Sequence, residues 1–94
     1  MILSELTTLA SQPNPLTAKF SETSAGLIAK FTDSSTDALD TITSRTWNFG
    51  DGSGPATATN PSHLYVKAGV FTVTETVNDA AGYSASQVTS VTIK

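Results

Sequence analysis

The only histidine of the chain, His63, is the first residue to weigh for chemistry. A single imidazole cannot build a multi-histidine metal set, and with no cysteine there is no thiolate to join it. Ser62 is its neighbour, but successive side chains on an extended segment leave opposite faces, which denies a serine–histidine hydrogen bond. The plainer role is a structural histidine packed near Tyr65, whose hydroxyl is expected to bond backbone a few residues away. Asp33, Asp37, Asp40 and Asp51 lie in polar stretches and are the candidates for a calcium site, although their spacing is not that of an EF-hand. The alternative is that they solvate their loops. Gly50-Asp51-Gly52-Ser53-Gly54 lacks the lysine and spacing of a phosphate loop and reads as a turn. Asn60-Pro61-Ser62 is no glycosylation acceptor, since proline holds the middle position. No catalytic group and no cofactor are expected.

The element that must position these residues is the stretch from Arg45 to Ser53. Trp47 and Phe49 sit two apart, so on a strand both rings point to one face, each burying about 150–250 Å². Gly50-Asp51-Gly52 then supplies a reversal, because glycine tolerates positive φ and aspartate bonds its own backbone two residues on. At 94 residues the chain makes one domain, burying more than ~60% of the surface its unfolded form exposes. Only 14% of residues are charged, and the wealth of threonine and serine suits half-exposed strands better than helices. The basic residues Lys19, Lys30, Arg45, Lys67 and Lys94 are scattered and the net charge is −3, so no row of phosphates is neutralised and nucleic acid is excluded as a partner. There is no membrane span and no secretory signal pattern at Met1.

Along the chain, Ile2, Leu3, Leu6 and Leu9 fall at helical spacings before the Pro13-Asn14-Pro15 break. Residues 1–14 are therefore read as an arm or short helix, with a strand or a tail as alternatives, ahead of a β-domain over 15–94. Phe20 and then Leu27, Ala29 and Phe31 mark two short strands around Gly26, and residues 33–40 read as a polar loop. Residues 55–60 read as a loop or edge strand. Phe71, Val73 and Val77 alternate with Thr72, Thr74, Thr76 and Asn78 in the clearest strand of the chain. Asp79-Ala80-Ala81-Gly82 fits a hairpin turn with glycine in the left-handed position. On the return strand the apolar phase slips between Val88 and Val91, which predicts a β-bulge. About seven short antiparallel strands around one tryptophan predict an all-β, two-sheet, immunoglobulin-like sandwich, in which Tyr65 suits a tyrosine corner.

Trp47-Asn48-Phe49-Gly50-Asp51-Gly52-Ser53 resembles the W-D-F-G-D-G-S motif of the PKD (polycystic kidney disease) domain family, and Asn60-Pro61-Ser62-His63-Leu64-Tyr65 through Gly69 resembles its N-P-x-H-x-Y…G segment. Val70 to Thr74 and Val77-Asn78-Asp79 continue the likeness, which covers residues 16–94. The resemblance implies sheets of the A-B-E-D and C-F-G kind and a non-catalytic spacer or binding role on surface proteins, secreted degradative enzymes and virion proteins. Asn48 departs from the family's aspartate, which weakens any calcium proposal at that turn. Arg45 and Glu75 replace inward apolar residues. Pairing Trp47 opposite Val73 sets Arg45 opposite Glu75 as a cross-strand ion pair at the rim of the core, or as a patch where another protein docks. On that reading Glu75→Leu strands Arg45 and destabilises.

The functional expectation is a non-catalytic structural or interaction module, an accessory decoration subunit on a large assembly such as a tailed-phage virion. Its partner is then protein, gripped through Ile2, Leu3, Leu6 and Leu9. The alternative is a PKD module of a longer secreted or cell-surface protein that spaces domains or binds polysaccharide or protein. Carbohydrate is not expected, because Trp47 and most phenylalanines are assigned to the core and only Tyr83 is left as an exposed aromatic.

Overall fold

The alternation from Val70 to Asn78 produces the longest strand among the described residues, and the other strands assemble beside it or across from it. A computed structural model describes residues 15–94. The strands are β1 (Leu16–Thr17), β2 (Phe20–Ala25), β3 (Ile28–Asp33), β4 (Thr36–Asp37), β5 (Ile42–Asn48), β6 (Ser62–Leu64), β7 (Gly69–Asp79) and β8 (Ser84–Ile93). One sheet has the order β5-β7-β8, the facing sheet the order β2-β3-β6, and β1 pairs with β4 in a separate ribbon. All pairings are antiparallel. The expected all-β sandwich is present, with eight strands where about seven were predicted. The extra element comes from the stretch expected to be a polar loop, since Thr36 and Asp37 pair with Thr17 and Leu16.

The core lies where the two faces meet. Phe20, Ala29 and Phe31 point inward from one sheet, and Trp47, Val73, Val91 and Ile93 from the other, with Phe49 and Tyr65 closing one end. Trp47 is 0% exposed and meets Phe20 edge-on and Phe31 at a tilt, with ring-centroid distances of 5.1 and 5.4 Å. Its indole Nε1–H donates to the Ala58 carbonyl at 2.8 Å, so the one polar atom of the ring is satisfied inside the core. Residues 55–60 contribute a single bridge: Trp47 and Ala56 exchange backbone hydrogen bonds of 2.8 and 3.0 Å. That bridge covers part of the β5 edge.

Two expectations about register are corrected. The return strand β8 carries no bulge, because its pairing with β7 runs without a slip from Asn78↔Ser84 to Gly69↔Ile93. Val88 simply faces out and is 62% exposed. The irregularity lies instead in β5, between Ile42 and Ser44. Second, Trp47 stands opposite Glu75, not Val73, and Arg45 stands opposite Val77. Arg45 and Glu75 do share the parity of the core-facing residues of their strands, but the shift of two residues removes the Arg45–Glu75 pair. Residues 1–14, with the expected arm and its Ile2, Leu3, Leu6 and Leu9, lie outside the described residues.

Candidate functional site

The turn that ends β5 is held by its own side chains. Asn48 Oδ1 accepts the Gly50 N–H at 2.9 Å, so the family's aspartate is replaced here by a neutral group that still caps the reversal. Gly50 has φ +81°, and a Cβ on it would run into the Thr72 carbonyl and lie 2.9 Å from the Thr72 nitrogen. Only glycine fits. Asp51 Oδ1 accepts the Ser53 N–H at 3.1 Å and the Ser53 hydroxyl at 2.6 Å, while Oδ2 lies 2.7 Å from His63 Nε2. Burial works against the Asp51 charge, yet the Ser53 and His63 bonds hold its carboxyl down at about 2.

His63 stacks on Phe49 with centroids 4.2 Å apart and meets Tyr65 edge-on at 4.5 Å. Ser53 Oγ lies 3.5 Å from the same nitrogen that Asp51 occupies. A nucleophilic relay needs serine and carboxylate on different ring nitrogens, so this trio fastens a turn and does not activate a hydroxyl. Tyr65 donates to the Phe49 carbonyl at 2.9 Å, a residue 16 positions upstream. The expected short-range tyrosine corner is thereby corrected: the hydroxyl reaches the end of another strand because β6 lies across the sandwich from β5. Burial first, then the nearby Asp51 and Glu22 charges, push the Tyr65 hydroxyl up to about 12.

The four calcium candidates do not converge, and among the described residues no three His, Cys, Asp or Glu side chains form a metal set. Asp51 serves His63, and Asp33 serves Arg45, whose Nε donates to Asp33 Oδ2 at 2.7 Å. Asp37 Oδ1 caps the Leu39 and Asp40 amides at 2.9 Å each, which places Asp40 on the same loop as a backbone donor. Asp79 Oδ1 caps Ala81 and Tyr83 at 3.0 and 2.8 Å and so shapes the β7–β8 hairpin. The second oxygens of Asp37 and Asp79 are buried without another partner. The interaction with Asp79 lowers the Asp37 carboxyl, while burial first and then the interaction with Asp37 raise that of Asp79.

A second acid cluster is buried more deeply. Glu75 is 0% exposed, and the Asp33 side chain is 5% exposed. Ser35 bridges them, its N–H donating to Asp33 Oδ1 at 3.2 Å and its hydroxyl lying 3.5 Å from Glu75 Oε1. Burial, then the bond and charge of Asp33, push the Glu75 carboxyl up to about 8, with Arg45 pulling the other way. For Asp33, burial is outweighed by bonds from Glu75, Ser35 and Arg45, which keep it below the usual aspartate range. Arg45 and Asp33 are thus an ion pair beside a glutamate whose charged form burial disfavours. Parity flagged Arg45 and Glu75 in the sequence, but nothing local connected either to Asp33.

The outward face of β5-β7-β8 is different in kind. Its cross-strand rows are Ser44–Asn78–Ser84, Thr46–Thr76–Ser86 and Asn48–Thr74–Val88, followed by Thr72–Ser90 and Val70–Thr92. No charged residue stands on it. Thr76 and Ser86 share a hydroxyl bond of 2.9 Å, and the Asn78 amide donates to Ser44 Oγ at 3.0 Å. Between this face and the 52–55 turn runs a groove of about 560 Å³, lined by Thr46, Asn48, Thr74 and Thr76 on one side and Gly52, Gly54 and Pro55 on the other. The alternating threonines of β7 were visible in the sequence. Their alignment with β5 and β8 was not.

These features define a β-sandwich domain whose polar clusters fasten loops and sheets. The chain belongs to the PKD domain family, whose model matches residues 10–93. It is similar to Collagenase ColA of Bacillus cereus, 43% identical over 53 residues that make up 56% of this chain and 5% of that protein. It is also similar to a microbial collagenase of Vibrio alginolyticus, 39% identical over 61 residues, or 65% of this chain and 7% of that one. The chain thus matches only a small part of either collagenase. In three dimensions it resembles the PKD1 domain of the Vibrio cholerae metalloprotease PrtV, with a TM-score of 0.80 and 32% identity, covering 84% of this chain and 96% of that one.

Proposed function

We propose that this chain is a non-catalytic binding module of a longer bacterial protein acting outside the cell, and that it docks on an uncharged fibrous polypeptide of the collagen kind. The observation that carries this reading is the charge-free hydroxyl and amide face of β5-β7-β8 with its groove. Such a face gains nothing from a charged partner but supplies donors for carbonyls and methyl groups for contact. A polyproline-type strand has no internal hydrogen bonds and leaves carbonyls free to accept. The face carries no aromatic ring, which disfavours sugar stacking. The similarity to small parts of two collagenases supports the setting, and favours it over the virion surface subunit expected first.

The test is co-sedimentation of the purified protein with insoluble collagen fibrils, with cellulose and chitin run in parallel. Retention on collagen is expected, and Thr74→Glu, placed in the groove wall, should weaken it roughly tenfold or more while the melting temperature stays unchanged. No retention on collagen, or retention untouched by Thr74→Glu, overturns the reading. Retention on a polysaccharide alone assigns a different partner class.

A further inference from the structure

We infer that Asn48 gives the groove beside the β5-β7-β8 face its chemical polarity, its side-chain amide donating to a carbonyl oxygen of the docked strand; this rests on the reading of that face as the docking surface. Asn48 ends β5 as the cross-strand partner of Thr74. A backbone N–H only donates, so the atom that meets the Gly50 N–H at 2.9 Å is Oδ1, and the Nδ2 end of the amide faces away from the turn. Among the described residues Nδ2 has no hydrogen-bond partner, and Asn48 stands exposed in the groove wall.

No other side chain lining the groove has a fixed polarity. The hydroxyls of Thr46, Thr74 and Thr76 can each donate or accept, and that of Thr76 is already shared with Ser86 at 2.9 Å. Across the groove, Gly52 and Gly54 carry no side chain, and the space where one would start is open. Pro55 presents a ring without an N–H. Nδ2 is therefore the one obligate side-chain donor that a bound chain meets there, and it favours an acceptor over an ammonium or guanidinium group. A carbonyl left free by a polyproline-type backbone is such an acceptor. The donor is also held in place before docking. Its amide is fixed at one end by Gly50, which packs on the Thr72 backbone, and the opposite wall is tied to β5 by the two Trp47–Ala56 hydrogen bonds. A side chain already ordered loses little rotamer freedom on binding.

Co-sedimentation with collagen fibrils of the unaltered protein, Asn48→Asp and Thr74→Glu tests the assignment. Asn48→Asp keeps the acceptor that caps Gly50 and replaces the donor by a second acceptor, so retention is expected to fall roughly tenfold or more while the melting temperature stays unchanged. The loss should persist at high salt, where a mere effect of the added charge is screened. Retention of Asn48→Asp equal to that of the unaltered protein, or restored by salt, overturns the role of Asn48, while weakened retention of Thr74→Glu in the same experiment leaves the docking face standing. No retention of the unaltered protein overturns both. If Asn48→Asp does not fold, the side-chain amide NMR signals of Asn48 in the unaltered protein decide, on addition of a soluble collagen-type triple-helical peptide: a selective shift supports the contact, and unmoved signals defeat it.

Discussion

Arg45 has two buried acids within reach and chooses one of them, and that choice reverses a prediction made from the sequence. Since Asp33 holds the guanidinium, Glu75→Leu strands no charge. Replacing a buried protonated acid by an apolar side chain of similar size should leave stability at pH 7 unchanged or raise it by about 1–2 kcal/mol. Asp33→Ala removes the partner of a half-buried arginine and should cost about 1–3 kcal/mol. Urea denaturation of the two variants distinguishes the observed pairing from the Arg45–Glu75 pair: only the latter makes Glu75→Leu the damaging change. At the end of the same strand, Gly50→Ala should cost about 2–4 kcal/mol, because strained φ and collision with the Thr72 backbone act together. These residues were singled out in the sequence by parity and by turn chemistry. Their partners were hidden, since Asp33 is 12 residues from Arg45 and the spacing carries no period.

Strand existence was legible because alternation is a local pattern, and the facing of each residue on β7 followed from it. Register was not local. Val88 looked like a core residue displaced by a bulge, yet β8 pairs evenly with β7 and turns Val88 to solvent. What keeps Gln87 on the inner side is a bond from the Phe20 N–H to its Oε1 at 3.1 Å, which ties β8 to β2 of the facing sheet. A polar residue is tolerated inward because it satisfies a backbone donor there. Val88→Thr should therefore change the denaturation midpoint by no more than about 0.5 kcal/mol in stability, whereas Val91→Ala, in the core, should cost about 1.5–3 kcal/mol. Equal effects would restore the bulge.

For the molecule as a whole, opposed carboxyl shifts set the pH of greatest stability. Glu75 has its folded value raised from 4.5, so its contribution is complete below about 4.5 and is lost as pH rises toward about 8. Asp33 and Asp51 have theirs lowered from 3.8, so their contributions are present above that value and are lost as pH falls below it. Melting temperatures between pH 2 and pH 9 are expected to peak near pH 4–5, and Glu75→Gln should flatten only the alkaline limb. Composition, alternation and the Trp-x-Phe-Gly-Asp-Gly turn were enough to determine an all-β sandwich, its tryptophan centre and its family, because these depend on side-chain period and on backbone conformations that only a few residues adopt. The tertiary structure alone decided which acid meets Arg45, that His63 fastens Asp51, that Tyr65 bonds the end of β5, and that hydroxyls from three strands align into one neutral face. Each of these depends on register and on contacts across the sandwich, where distance in space bears no relation to distance along the chain.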